Sequence, residues 1–210
     1  MLRLIIVRHG ETVWNKEGKY QGHTDVQLTE LGWQQAVQVA RRLRDKPVVA
    51  VYASDLSRAY ETAAVIARKH NLPVVQMSEL REINFGAWEG LTFEEIGRRY
   101  ADIRKRWLQD PANTRLPQGE TFRELAQRAG EAVEKILANH SEGTVVLVTH
   151  GGVIAVLLCR FLGLDLNSVW HYVPGNSGLT IVDYIDGKPV VQVIGDTKHL
   201  SEIDSHNGGE

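Results

Sequence analysis

Two short runs, "LRLIIV" (2–7) and "TVVLVTH" (144–150), are aliphatic at almost every position rather than at every second one. A strand with one wet face alternates between apolar and polar residues. A strand covered on both faces does not, so these runs read as buried strands of a parallel sheet packed between helices. "VVAVYAS" (48–54) is a further strand and "LPVVQM" (72–77) a shorter one.

Helical signals alternate with them. Thr29 stands at the N-cap position of a helix in which Leu31, Ala36, Val39, Ala40 and Leu43 recur at helical spacing. "SRAYETAAVIARKH" (57–70) is the second helix, and "GGVIAVLLCRFLG" follows the strand 144–150. Thr92 with Glu95, and Thr121 with Glu124, have capping-box spacing. From Phe122 to Leu137 the apolar positions 122, 125, 126, 129, 133, 136 and 137 trace one helical face. "GLTIVDYI" (178–185) and "PVVQVIG" (189–195) form a hairpin around Asp186-Gly187. The expected fold is a three-layer α/β/α sandwich with a mainly parallel central sheet and an antiparallel edge. Residues 1–195 read as one domain with a helical insertion at about 85–120, and 196–210 as a mobile tail.

Composition narrows the partners. A chain of 210 residues suits one sizeable domain. Lys plus Arg number 24 against 26 Asp plus Glu, and a net charge of −2 gives no general affinity for nucleic acid or an anionic membrane. The longest apolar stretch, "GGVIAVLLC", is too short to span a bilayer. One cysteine, Cys159, allows no internal disulfide and is expected to be buried, and the N-terminus enters a strand without a signal-peptide pattern. A cytoplasmic location is the expectation.

In open α/β sheets, ligands bind beyond the carboxyl ends of the strands. After the first strand come Arg8 and His9, and after the second Ser54, Asp55 and Arg58. Arg81 and Glu82 follow the third, and His150, Gly151 and Gly152 follow "VVLVT". Each residue alone has an ordinary structural role, as a helix-end, turn or ion-pair residue. Their convergence at four strand ends points to one site.

The chemistry matches phosphoryl transfer. Guanidinium groups give bidentate contacts to phosphate oxygens, and free N–H groups at a helix start favour an anion. A neutral imidazole is a nucleophile towards phosphorus, and Arg8 beside His9 lowers the His9 pKa. Glu82 can protonate the departing oxygen and then deprotonate water. No metal or other cofactor is required, because the arginines neutralise the charge. No P-loop, G-x-G-x-x-G, G-x-S-x-G or H-E-x-x-H motif is present.

At this level the chain resembles the histidine phosphatase superfamily, which includes cofactor-dependent phosphoglycerate mutase. "VRHGET", "SDLSRAYETA", "LREINFGAWEGLTFEEI" and "VTHGG" are similar to its four motifs, in its order, over roughly residues 2–195. The resemblance implies a phosphoglycerate mutase-like fold with the insertion lying over the site. It implies His9 as the nucleophile that becomes phosphohistidine, with Arg8, Arg58 and His150 completing the phosphate pocket and Glu82 as proton donor. Asn15 would contact the phosphate, as would Gly151 at the helix start, and Gln21 and His23 would lie near the substrate entrance.

The middle segment lacks the Arg-Arg-Ser-type motif of the mutases, and Arg98-Arg99 reads as a solvated helical face. "EINFGAWEG" is closer to the branch of broad-specificity, α-ribazole and metal-independent phosphoserine phosphatases. "YQG" and "GDTKHL" resemble the last two, although phosphoserine enzymes tend to carry histidine where Phe85 stands here. The expected partner is a small phosphorylated metabolite. The rival readings are a phosphoglycerate mutase and a catalytically silent phosphate-ester-binding module. Phe85, Trp88 and Trp107 are candidates for an apolar leaving-group wall or for core, and the tail, with His199, for a cover over the entrance. The oligomeric state stays open, a homodimer included.

Overall fold

Six strands form one mixed sheet in the order β3-β2-β4-β1-β5-β6. The structure is a computed structural model that describes residues 1–204. The strands are β1 (Leu2–Arg8), β2 (Val48–Ala53), β3 (Val74–Gln76), β4 (Gly143–Thr149), β5 (Leu179–Ile185) and β6 (Lys188–Asp196). The first four are mutually parallel, while β5 pairs antiparallel with β1 and β6 antiparallel with β5, closing the sheet at one side.

The aliphatic runs are buried on both faces. In β1, Ile5 and Val7 pack beneath α2 (Glu30–Leu43) and α3 (Ser57–His70), whereas Leu4 and Ile6 face α6 (Phe122–Asn139) and α7 (Gly151–Leu162). Each of these four side chains is at most 2% exposed. Truncating one to alanine costs about 2–5 kcal/mol, so the continuous run is a requirement of the three-layer packing.

Local signals are realised where they occur. Thr29 caps α2 by accepting from the Gly32 N–H. Both expected capping boxes form, at α4 (Phe93–Arg99) and at α6, and a third closes α1 (Val13–Lys16) between Thr12 and Asn15. Gly163 in the left-handed conformation ends α7.

The insertion consists of a 3-10 turn at Gly86–Trp88, then α4 and α5 (Ala101–Gln109). Trp88 and Trp107 are buried at its base, their ring centroids 5.0 Å apart, so both are core. Arg98 and Arg99 are exposed.

Three features differ from the sequence reading. β3 is only three residues long, because its flanks turn away at the sheet edge. Residues 166–172 form a 3-10 segment that no hydrophobic period announces. Residues 196–204 have regular structure: Asp196 completes β6, and a turn at Lys198–Leu200, in contact with α2, leads into α8 (Ser201–Asp204), where Ile203 is buried. The end of the expected tail, 205–210, lies outside the described residues.

Strand register positions the site. Arg8 lies level with Thr149 in the β1–β4 pair, and Ala53 level with Val148 in the β2–β4 pair. His9, Ser54 and His150 therefore leave the sheet side by side.

Candidate active site

A cavity of about 190 Å3 opens at the carboxyl ends of the parallel strands. Arg8, His9, Asn15, Gln21, Arg58, Glu82 and Gly151 all line it. His150 is fully buried behind His9, the two rings 5.1 Å apart between centroids and inclined by 62°. His23 does not reach the lining. Its Nε2 lies 3.0 Å from the Glu82 carbonyl oxygen, so its contact is with the main chain that carries the carboxylate.

The histidines are held as neutral bases. His9 Nδ1 lies 2.7 Å from the Gly10 carbonyl oxygen. A carbonyl only accepts, so Nδ1 carries the proton and Nε2 keeps its lone pair. Burial pushes His9 well below the usual histidine range, and the charges of Arg58 and then Arg8 push the same way; only the bond to Gly10 opposes. His150 is lowered well below that range too, by burial first and then by Arg58.

Arg58 is 0% exposed, and its Nη1 and Nη2 donate to the carbonyls of Thr24 and Gly22 at 2.9 and 2.7 Å. Arg8 Nη1 donates to the Pro174 carbonyl at 2.6 Å. Burial lowers Arg8, and it lowers Arg58 to about 10, which leaves Arg58 a cation near neutrality. The Nε of each arginine and both ring nitrogens of His150 are buried with no partner among the described residues. Buried polar groups are nearly always paired, and such a cluster of buried donors beside a cavity is able to take an anion.

Glu82 faces the cations from the opposite side. Its carboxylate accepts from the Ile83 N–H at 2.9 Å and from the Gly152 N–H at 3.0 Å, in the first turn of α7. A Cβ at position 152 would run into Glu82 Oε1, so glycine there admits the carboxylate. Arg81, its neighbour in sequence, turns away into a two-point bond with Asp55 at 2.7 and 2.5 Å.

Several supporting residues escaped the sequence reading. Arg128 on α6 donates to the carbonyls of Glu79, Arg81 and Glu82 and to both oxygens of Glu120, clamping the segment that bears Glu82. Asn176 Nδ2 lies 3.0–3.3 Å from the His9 and Gly10 carbonyls and from Asn15 Oδ1. The Ser177 N–H points to the Arg8 and His9 carbonyls. Asn15 Oδ1 is also engaged by Thr12, which in turn donates to Gln21 Oε1. The turn-rich string "PGNSG" was the available signal for Asn176; Arg128 had none, since one arginine on a helix looks like any other. His199 bonds the Ser177 carbonyl and stays off the cavity.

The remaining wall is aromatic. Tyr20, Phe85, Phe122, Trp170 and Val173 line it, and Trp170 rests on Trp107 at 4.3 Å between ring centroids. Lys19 stands in this lining too, its ammonium 2.7 Å from Glu17.

Comparison with known proteins finds relatives along nearly the whole chain. The model of the "Histidine phosphatase superfamily (branch 1)" matches residues 4–197. "Phosphoserine phosphatase 1" of Hydrogenobacter thermophilus is 32% identical over 203 residues, covering 97% of this chain and 96% of that protein. "Probable phosphoglycerate mutase GpmB" of Erwinia tasmaniensis is 36% identical over 207 residues, covering 96% of each. Among solved structures, Bacillus stearothermophilus YhfR superposes with a TM-score of 0.90 at 37% identity, covering 95% of this chain and all of that one.

Proposed function

The chain belongs to the histidine phosphatase superfamily, and on that premise we propose that it is a metal-independent phosphomonoesterase that acts on a small phosphorylated metabolite through a phosphohistidine on His9. The observation that supports this most is the pairing of a lone pair on His9 Nε2 with the unpartnered nitrogens of Arg8, Arg58 and His150. A nucleophile and an anion cradle meet in one place.

Reaction proceeds in two in-line displacements. His9 Nε2 attacks phosphorus, and the bond to the leaving oxygen breaks as Glu82 delivers a proton to it. The released alcohol departs. Glu82, now a carboxylate, takes a proton from water, whose oxygen attacks phosphorus; the N–P bond breaks and phosphate leaves. Arg8 and Arg58 neutralise the equatorial oxygens throughout, already oriented by their carbonyl partners. Uncatalysed phosphate-monoester hydrolysis is slow enough that accelerations of up to ~10²¹ are known, so this fixed positive field carries a large share of the catalysis.

Selectivity follows from the aromatic wall. It offers stacking area and few polar contacts, which favours leaving groups with an apolar ring over a small zwitterionic alcohol. A mutase reading rests on the name of one group of relatives. Among the described residues, the lining away from Arg8 and Arg58 holds only Lys19 as a cation, already paired with Glu17, which disfavours a second phosphate. The test is release of phosphate from p-nitrophenyl phosphate in the presence of a chelator, with acid-labile labelling of His9 in a rapid quench. A chain that interconverts 3- and 2-phosphoglycerate on addition of 2,3-bisphosphoglycerate faster than it releases phosphate is a mutase instead.

A further inference from the structure

Arg58 is a fully buried cation whose two terminal nitrogens are fixed by main-chain carbonyls of one turn, Gly22 and Thr24, and, among the described residues, by no carboxylate. Carbonyls hold a guanidinium in place only if the turn itself is rigid. The turn closes on Glu89, whose carboxylate accepts from the N–H of His23 at 2.9 Å, from the N–H of Thr24 at 2.8 Å and from the Thr24 hydroxyl. Three donors of consecutive residues thus converge on two oxygens. Gly22 has φ +56°, and a Cβ there would overlap the same carboxylate, so the turn is wrapped directly around it.

We propose that Glu89 is the positioning residue for Arg58: its carboxylate shapes the 22–24 turn so that two carbonyls aim the guanidinium at the phosphate. This rests on the phosphatase reading above for Arg58's role. Electrostatics act in the same sense, since burial lowers Arg58 while the charges of Glu82, Asp25 and Glu89 support its charged form. His23 ties the turn to Glu82 through its ring, so one carboxylate orders the backbone between the phosphate grip and the proton donor.

The donor set makes the proposal specific, because only an acceptor pair satisfies it. Glu89→Gln keeps the shape but turns an amide donor towards donors. It should lower kcat/KM for p-nitrophenyl phosphate about tenfold and raise the inhibition constant of inorganic phosphate by a similar factor, the scale of a charged hydrogen bond. In an Arg58→Ala background the same substitution should change either quantity by less than about twofold, since coupled residues are not additive. Thr24→Val, which removes one donor, is the milder probe and should show a smaller loss that also vanishes without Arg58.

Full activity in Glu89→Gln, or equal losses with and without Arg58, overturns the proposal. The wild type separates it from its premise. If it releases no phosphate from p-nitrophenyl phosphate, the catalytic reading fails, while calorimetric binding of inorganic phosphate by the same variants still reports on Glu89.

Discussion

The sheet has a cavity at each end, and the larger one is chemically quiet. At the amino ends of the strands a groove of about 490 Å3 lies among Met1, Leu2, Leu137, His140 and Tyr184, against about 190 Å3 at the carboxyl ends. In the groove, His140 Nε2 is satisfied by the Tyr52 hydroxyl at 2.9 Å. At the smaller cavity, buried nitrogens of Arg8, Arg58 and, just behind its lining, His150 find no partner among the described residues. Volume does not identify a site; concentrated and unsatisfied charge does. The difference arises from topology, because parallel strands deliver their loops and the α7 start to the carboxyl end.

The sharpest way to break this comparison is His9→Ala. It should abolish turnover of p-nitrophenyl phosphate, and residual activity above a tenth of wild type would exclude the covalent route. Glu82→Gln comes next, with an expected loss of about 10²–10⁴ in kcat for an alkyl phosphate. The loss should shrink for p-nitrophenyl phosphate, whose leaving group departs without a proton. Equal losses for both substrates would deny Glu82 its role as acid.

Trp170→Ala sharpens the description of the wall. A lost stacking contact of about 1 kcal/mol predicts a severalfold fall in kcat/KM for aryl phosphates and almost none for phosphoserine. Stability should distinguish the two ends as well. His9 and His150 are lowered below the ordinary value of 6.5, so below that pH the unfolded chain binds protons that the folded chain refuses. Stability in phosphate-free buffer should therefore fall as pH drops below about 6.5, by up to about 1.4 kcal/mol per pH unit per histidine. His150→Gln should flatten that slope in melts taken between pH 7.5 and 5.5. The smallest effect belongs to the quiet groove: His140→Ala should cost about 1 kcal/mol of stability and leave turnover within about twofold.

Much of this was legible in the sequence, for identifiable reasons. β1 and β4 announce themselves because a strand covered on both faces must be aliphatic throughout. Thr29, Thr92 and Thr121 announce helix starts because capping is local, a matter of three residues. Arg8, Arg58, Glu82 and His150 stood out because each follows a strand, and parallel strands end together.

The supports did not stand out. Arg128 reaches carbonyls 46–49 positions away, and Asn176 reaches His9 and Gly10 across 166–167 positions. Trp170 sits on a 3-10 segment without hydrophobic period. The direction of Arg81 was equally hidden, since nothing local decides whether a guanidinium faces the cavity or Asp55.

Strand identity, helix caps and the polar residues that follow the strands were therefore determined by the sequence alone, because burial on two faces, capping and chain position are properties of a residue and its near neighbours. Which nitrogen of His9 holds the proton, which arginines meet carbonyls rather than carboxylates and which carboxylate the 22–24 turn wraps around were decided by the tertiary structure. Those depend on donors and acceptors brought together from distant positions, and only packing selects among them.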